Sequence, residues 1–399
     1  MMESRSGMAS SEPIANNFCI APWMTIYYQI DKASICCTSK DSLTMSPDEF
    51  RKSDYVKQIR KDFLDGKKPS NCENCWTAES RGQKSIRSYY TDRDGWADVL
   101  DKSFDENTEL DIMHMEIRAS NLCNFKCKMC TPDSSIEIER EIEKFPDLSN
   151  FFFQKQSLIN DICDEHWEQL LKMMSTTRHL FLTGGEPMLI KRYYDLLDYL
   201  VETGISKTIN LHVYTNGSVY NPKFVDRFQS FQTLKLHVSI DAVGKTAEYQ
   251  RSGTIWERVR ENTLKFATIP NIELYIHTTH SAYTILDVEA LTDFYYQVFA
   301  VNPNTKYSIH TVLKPPALNY LNLNSDLRKI AIKEVSRSLE KLNLADGRFK
   351  RVKKELTAIL NNLSLPSNHE GYDHFIRMTK VIDRARNEKF EDVFGYKLY

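Results

Sequence analysis

Cys123, Cys127 and Cys130 share one short stretch, Cys123-Asn124-Phe125-Lys126-Cys127-Lys128-Met129-Cys130, in a C-x₃-C-x₂-C spacing. A closed zinc or iron–sulfur site takes four protein ligands, and three thiolates supply one too few. A cluster held this way keeps one iron open, and an open position is where chemistry happens. Two other readings of the spacing are a zinc loop that borrows a fourth ligand from elsewhere and three unrelated core cysteines. Met113 to Ile117, just upstream, alternate as a strand does, which puts the loop at a strand end.

Composition narrows the setting. A chain of 399 residues with 41% hydrophobic and 27% charged residues has enough apolar content for a globular core. A formal net charge of −2 gives no electrostatic case for nucleic acid or an anionic membrane. The basic run Arg348-Phe349-Lys350-Arg351 and the pair Lys353-Lys354 fit the solvated face of a helix. No apolar run is long enough to span a bilayer. Residues 1–17 are polar and small, and read as a disordered leader without a secretion signal. Eight of the nine cysteines fall between Cys19 and Cys130. That crowding points to metal sites in a reducing, cytoplasmic setting rather than to disulfides.

Cysteines also define a first folded unit. Met24 to Gln29 and Ala33 to Cys37 make a plausible hairpin with Cys19 at its entry and Cys36-Cys37 at its exit. A helix over Pro47–Phe63, capped by Ser46, leads to Cys72-Glu73-Asn74-Cys75. Cys19, Cys36 or Cys37, Cys72 and Cys75 form a second constellation of four ligands, for which zinc and iron–sulfur are both allowed. Ser88 to Phe104 links this unit to the next. Phe145 to Ile162 reads as an irregular insertion with an aromatic run at Phe151–Phe153. Cys163 belongs to neither set and reads as a structural thiol.

From Met113 onward strands and helices alternate. Strands are expected at the apolar run ending in Thr183, at Thr208–Tyr214, Leu234–Ile240, Ile272–Thr278 and Tyr307–Leu313. Helices are expected at Glu165–Ser175, Tyr193–Glu202, Pro222–Ser230, Glu257–Phe266 and Val288–Phe299. Such alternation implies parallel strands with right-handed crossovers, and about six units fit. Ligands bind at the carboxyl ends of such strands, where the cysteine loop, Gly184-Gly185-Glu186, Asn216 and Asp241 all fall. Three helices, Asp326–Leu342, Gly347–Leu363 and Asp373–Arg386, follow the break at Lys314-Pro315-Pro316.

The C-x₃-C-x₂-C loop resembles the signature of the radical S-adenosylmethionine (SAM) enzymes, and Gly184-Gly185-Glu186-Pro187 one strand later resembles a second motif of that family. Ser239-Ile240-Asp241-Ala242 and Tyr249-Gln250-Arg251-Ser252-Gly253 are similar to two more. The resemblance implies a [4Fe–4S] cluster on Cys123, Cys127 and Cys130, with SAM chelating the open iron. It further implies reductive cleavage of SAM to a 5′-deoxyadenosyl radical that abstracts a substrate hydrogen. Gly184, Gly185 and Glu186 would then serve the methionine amino group, Ser239 and Asp241 the ribose, Arg251 the carboxylate, and Met129 the adenine, with Asn216 on the same rim. The stretch from Phe18 to Arg87, with Cys72-x-x-Cys75-Trp76, looks like the auxiliary-cluster module called SPASM or twitch, here placed before the barrel. It implies a second [4Fe–4S] cluster on Cys19, Cys36, Cys72 and Cys75, with Cys37 as the alternative to Cys36. This sequence departs from the module in having Asp31-Lys32 where a glycine is usual. Val381-Ile382-Asp383 to Phe394 resembles the tail of the same branch.

The expected architecture is therefore α/β: a partial (β/α)₆ radical SAM barrel over 105–315, a hairpin-plus-helix twitch-like module over 18–104, and a helical extension over 316–399. Expected partners are a one-electron donor such as flavodoxin or ferredoxin and a small-molecule or carbohydrate substrate that is oxidised or rearranged, with peptide modification as the runner-up. Candidate substrate contacts are His212, Tyr214, His237, His277, Thr279, His280, His310 and Lys314. A non-catalytic scaffold with two zinc sites is the rival reading.

Overall fold

The structure is a computed structural model, and it describes residues 17–91, 105–152, 159–343, 347–366 and 369–398. The expected leader apart from Asn17, residues 92–104 of the expected linker, and Phe153 lie outside the described residues. The chain forms two compact units. One comprises Met1–Glu116 with Ile162–Arg178, the other Ile117–Asp161 with His179–Tyr399.

In the first unit β1 (Thr25–Gln29) pairs antiparallel with β2 (Lys32–Ser34), which pairs with β3 (Leu43–Thr44). The hairpin turns at Ile30-Asp31, one residue earlier than Asp31-Lys32, with Ile30 buried in the left-handed region at φ 58°. The helix expected over Pro47–Phe63 is two helices, Pro47–Lys52 and Asp54–Leu64. Ser53 divides them. Its backbone is extended and its hydroxyl accepts from Val56 N–H, capping the second helix at the expense of continuing the first. Ser46 and Glu49 form a reciprocal capping box on the first. The Cys72–Cys75 stretch is helical, Cys75 lying in the first turn of Glu73–Ser80. Trp23, Tyr28, Phe50 and Phe63 fill this unit's core.

The chain leaves the first unit within β4 (His114–Arg118). After β5 (Lys126–Cys127) come β6 (His179–Thr183), β7 (Asn210–Thr215), β8 (Thr233–Ser239), β9 (Arg251–Ser252), β10 (Ile272–His280) and β11 (Lys306–Thr311). The order β4-β6-β7-β8-β10-β11 follows the sequence, and every step from β6 to β11 is parallel. This is the mixed α/β arrangement with a parallel sheet that the alternation predicts. Leu180, Leu211, Val213, Leu236, Val238, Leu274 and Ile276 are fully buried. The alternate positions are polar or aromatic: His212, Tyr214, His237, Tyr275, His277, Ser308 and His310. Tyr193 of the helix Lys191–Glu202 ties strand ends together, its hydroxyl donating to Ile117 or Thr183 carbonyls at 2.8 Å and accepting from Ala119 N–H at 2.9 Å.

The C-terminal helices Ser325–Asn343, Lys350–Leu363 and His369–Arg386 form, the first against Val288–Val301 and the second against β11. A helix at Gly244–Gln250 and the short β5 and β9 were not expected from the sequence. Among the described residues no helix is long and apolar enough to cross a membrane.

Candidate active site

Two backbones meet where the cysteine loop leaves β4. Gly185 N–H donates to Ser120 O at 3.0 Å and Glu186 N–H to Leu122 O at 2.8 Å. A Cβ on Gly185 would lie 2.0 Å from Leu122 O, and Gly184 has φ +113° with Ser120 O at 2.7 Å from its would-be Cβ. The close approach that these glycines allow is therefore to the loop that carries Cys123.

Glu186 is fully buried at the end of β6. It accepts from Thr215 Oγ at 2.8 Å, Asn216 N–H at 2.7 Å and Met188 N–H at 3.2 Å. Burial pushes its carboxyl up to about 7 despite these donors. Glu186 thus braces the end of β7, and Asn216 there reaches back to the loop. Its Nδ2 lies 3.8 Å from Cys123 Sγ and 3.0 Å from Asn124 Oδ1.

The other side of the loop is fixed by β5 and β9, which pair Cys127 with Arg251. Arg251 Nη1 lies 3.6 Å from Cys127 Sγ, and its Nε and Nη2 each lie 2.7 Å from Asp241 Oδ2. Asp241 Oδ1 accepts from Thr279 N–H at 2.8 Å. Burial alone would lower the Arg251 pKa; Asp241 and then the Cys127 thiol hold it up instead. Replacing Arg251 by Met leaves a buried carboxylate without its cation. The expected loss is about 3–5 kcal/mol by denaturant unfolding. Arg251→Met combined with Asp241→Asn is expected to recover part of it.

A small cavity of about 10 Å³ lies beside this pair, walled by Phe125, Asn216, Ser239, Asp241, Arg251 and Trp256 among others. Met129 is half-buried in the loop and is not one of its walls.

The residues present fit an iron–sulfur cluster. Burial pushes the Cys127 thiol up to about 11 against the pull of Arg251. Burial also raises Cys123, and the charges of Cys127 and Cys130 add to that. Three sulfurs, on the buried Cys127 and the half-buried Cys123 and Cys130, repel one another as thiolates and suit a positively charged, thiophilic centre. Among the described residues, no three His, Cys, Asp or Glu side chains stand close enough to share one metal ion.

Sequence reading missed the latch that holds the loop from behind. Lys128 is fully buried, its Nζ 3.4 Å from the Tyr249 ring centroid and paired with Glu388. Arg386 binds Glu141 at 2.7 Å and Lys126 O at 2.7 Å, and Tyr249 Oη donates to Asp383 at 2.7 Å. The signals available were a lysine set between two of the loop cysteines and the stretch from Val381 to Phe394, which carries Asp383, Arg386 and Glu388.

The first unit holds a separate group. Cys19, Cys36, Cys72 and Cys75 line one small cavity of about 10 Å³ with Phe63, Arg87 and Tyr90. Cys37 is exposed and lies beside Glu116 instead. Arg87 is held by Glu79 through contacts of 2.9 and 2.7 Å and donates to Phe18 O at 2.9 Å. Of the other expected residues, His212, Tyr214, His237, His277, Thr279 and His310 share the polar face of the sheet. His280 does not: it alternates onto the opposite face, fully buried, so it is corrected from a substrate contact to a core residue. Lys314 lies in the coil after β11.

Residues 117–292 match the model of the radical SAM superfamily. No curated protein matches the chain. Among solved structures it is similar in part to native anSMEcpe with bound AdoMet and Cp18Cys peptide, at 16% identity over 60% of each chain and a TM-score of 0.40. It is similar also to Streptococcus suis SuiB bound to precursor peptide SuiA, at 13% identity over 71% of this chain and 60% of that one, TM-score 0.40. A third is the radical SAM methyltransferase TsrM from Kitasatospora setae, at 13% identity over 55% of this chain and 38% of that one, TM-score 0.37. The match spans 60% of the first of these proteins. The matched stretch, residues 117–292, carries the three loop cysteines, the Gly184–Glu186 turn and the Asp241–Arg251 pair.

Proposed function

We propose that the chain is a radical SAM enzyme acting on a polar molecule, carbohydrates included, with the sheet of the second unit curved into a partial (β/α)₆ barrel whose polar face is inside. The observation that carries this reading is the contact set at the loop: Asn216 beside Cys123 and Arg251 beside Cys127, each from a different strand end. A [4Fe–4S] cluster with SAM supplies one-electron cleavage of SAM and a 5′-deoxyadenosyl radical that takes a hydrogen atom from substrate. Cys123, Cys127 and Cys130 hold the cluster in this reading. Arg251, oriented by Asp241, meets the SAM carboxylate, Ser239 and Asp241 the ribose, and the turn at Gly184–Glu186 the amino group. Asn216 fixes Cys123, and Met129 packs toward the adenine. A one-electron donor of the flavodoxin or ferredoxin class is required.

The first unit, in the same reading, is a twitch-like module holding a second [4Fe–4S] cluster on Cys19, Cys36, Cys72 and Cys75. The shared cavity supports it and favours Cys36. Cys36→Ser is expected to remove about four irons per chain by iron analysis after anaerobic reconstitution, while Cys37→Ser keeps them. The reverse outcome would reassign the ligand.

The function is tested by reducing the reconstituted protein with dithionite in the presence of SAM. Formation of 5′-deoxyadenosine supports the enzyme. Colourless protein with stoichiometric zinc and no cleavage would favour the scaffold. Substrates are then separated by incubating candidate sugars and peptides and finding which carbon loses deuterium.

A further inference from the structure

The helix His369–Arg386 ends against the cysteine loop. It gives way to Asn387, whose backbone is left-handed at φ 54°. Asparagine takes that conformation more readily than other non-glycine residues. Glu388 N–H closes the turn on Asp383 O at 3.0 Å, a bond that often ends a helix in this way. The Asp383 carboxylate fixes the turn further, accepting from Tyr249 Oη at 2.7 Å and from Phe390 N–H at 2.9 Å. The turn brings Arg386 and Glu388 to the same two strands.

Those strands are β5 and β9, which pair Lys126 with Ser252 and Cys127 with Arg251. Arg386 Nη1 donates to Lys126 O at 2.7 Å and to Ser252 Oγ at 2.9 Å, one partner on each strand. Glu388 does likewise with the opposite charge. Its Oε1 accepts from Ser252 Oγ at 2.7 Å and its Oε2 from Lys128 Nζ. Lys128 N–H donates to Gln250 O at 2.9 Å, which makes it the next rung beyond the Cys127–Arg251 pair. Arg386 therefore holds the rung before that pair, and Glu388 spans from there to the rung after it.

A ladder this short needs outside ties, because a two-stranded pairing is marginal by itself. The ties here are strong ones. The Arg386 and Glu141 side chains are only 2% and 5% exposed, so solvent screens their pairing little, and Lys128 is fully buried. Removing one partner of such a pair leaves a buried charge uncompensated. Cys127 and Arg251 sit within this grip, with Arg251 Nη1 3.6 Å from Cys127 Sγ. A slip of the ladder would change that contact first.

We propose that Arg386 and Glu388 are positioning residues for the cluster site. Together they staple β5 to β9, and so fix where Arg251 stands against Cys127 and against the carboxylate that Arg251 meets. The proposal rests on the radical reading for the identity of that carboxylate. The staple itself does not depend on it. The end of the chain thereby acts on the chemistry through Arg251 rather than by contact with a reacting atom.

Hydrogen–deuterium exchange of the full chain, reconstituted with iron and sulfide, tests the staple. Equilibrium binding of SAM before reduction tests what it positions. Glu388→Gln keeps the shape of the side chain and removes its charge. The Lys128 amide is expected to exchange at least about tenfold faster, as loss of one charged hydrogen bond implies, while the amides of β7 keep their wild-type rates. The SAM Kd per loaded cluster is expected to rise by a similar factor, with iron content unchanged. Arg384→Ala is the control, since Arg384 on the same helix pairs with Asp147 at the surface at 2.7 Å. It should change neither reading. Should Glu388→Gln not fold, the turn offers a second route. Asn387→Val keeps both charged side chains and misaims them, because a β-branched residue resists the left-handed region. It is expected to speed the Lys128 amide, and Asn387→Gly to leave it at the wild-type rate. Exchange that quickens in β7 as much as at Lys128 marks a latch that only adds stability. That result, a Lys128 amide indifferent to both variants, or a SAM Kd unmoved beside a faster amide would each overturn the proposal. A wild-type chain that binds no SAM would refute the radical reading, and the Lys128 amide would still decide the staple.

Discussion

Cys127→Ser is expected to leave a folded chain that makes no detectable 5′-deoxyadenosine. Serine is nearly isosteric with cysteine, so the β5–β9 pairing that holds position 127 to Arg251 survives. What disappears is the soft thiolate that an iron–sulfur cluster needs. Two thiolates remain on the loop, and iron bound to it falls by about four per chain. The check is iron content together with SAM cleavage, read against an unchanged far-UV spectrum. Cleavage at the wild-type rate would remove Cys127 from the site.

Gly185→Ala carries the second large effect, and it arises from backbone rather than chemistry. The new methyl carbon would lie 2.0 Å from Leu122 O and 2.4 Å from Leu122 C. Neither atom belongs to a flexible side chain, so the loop and the end of β6 must part. Both hydrogen bonds that join them, Gly185 N–H to Ser120 O and Glu186 N–H to Leu122 O, are strained or lost. A loss of at least about 3 kcal/mol follows from overpacking of this kind, and Cys123 moves with the loop. Gly204→Ala is the control: its φ is +75° with nothing within 4 Å of the new carbon. It incurs only the left-handed backbone penalty of about 1–2 kcal/mol. Denaturant unfolding and iron loading of the two variants should therefore differ, and equal behaviour would mean that the glycine pair is not where the two backbones meet.

Much of the second unit could be read from local pattern. Runs such as Leu211–Val213 and Leu234–Val238 flanked by helices of matching period announce parallel strands, because a strand covered by helices needs apolar residues and short crossovers. The cysteine loop and Gly184-Gly185 are local too. The latch on the loop is not: Lys128 and Glu388 stand 260 residues apart, and Arg386 and Glu141 245 apart. Only the fold brings them together. The polar face of the sheet was half legible. Alternation places His212, His237 and His277 at sheet positions, but which of them face each other depends on how neighbouring strands register, which periodicity does not encode. Helix breaks such as Ser53 turn on whether one hydroxyl caps the next helix, a choice that propensity leaves open.

The proposed reaction requires an iron without a protein ligand beside the Arg251–Asp241 pair. Electron–nuclear double resonance of the reduced protein, loaded with SAM carrying ¹⁵N in its amino group and ¹⁷O in its carboxylate, measures that directly. Hyperfine coupling of the cluster to both labels is the expected result, weakened or lost in Arg251→Met. A reduced cluster that couples to neither label, or to a histidine nitrogen of the chain in their place, would contradict it.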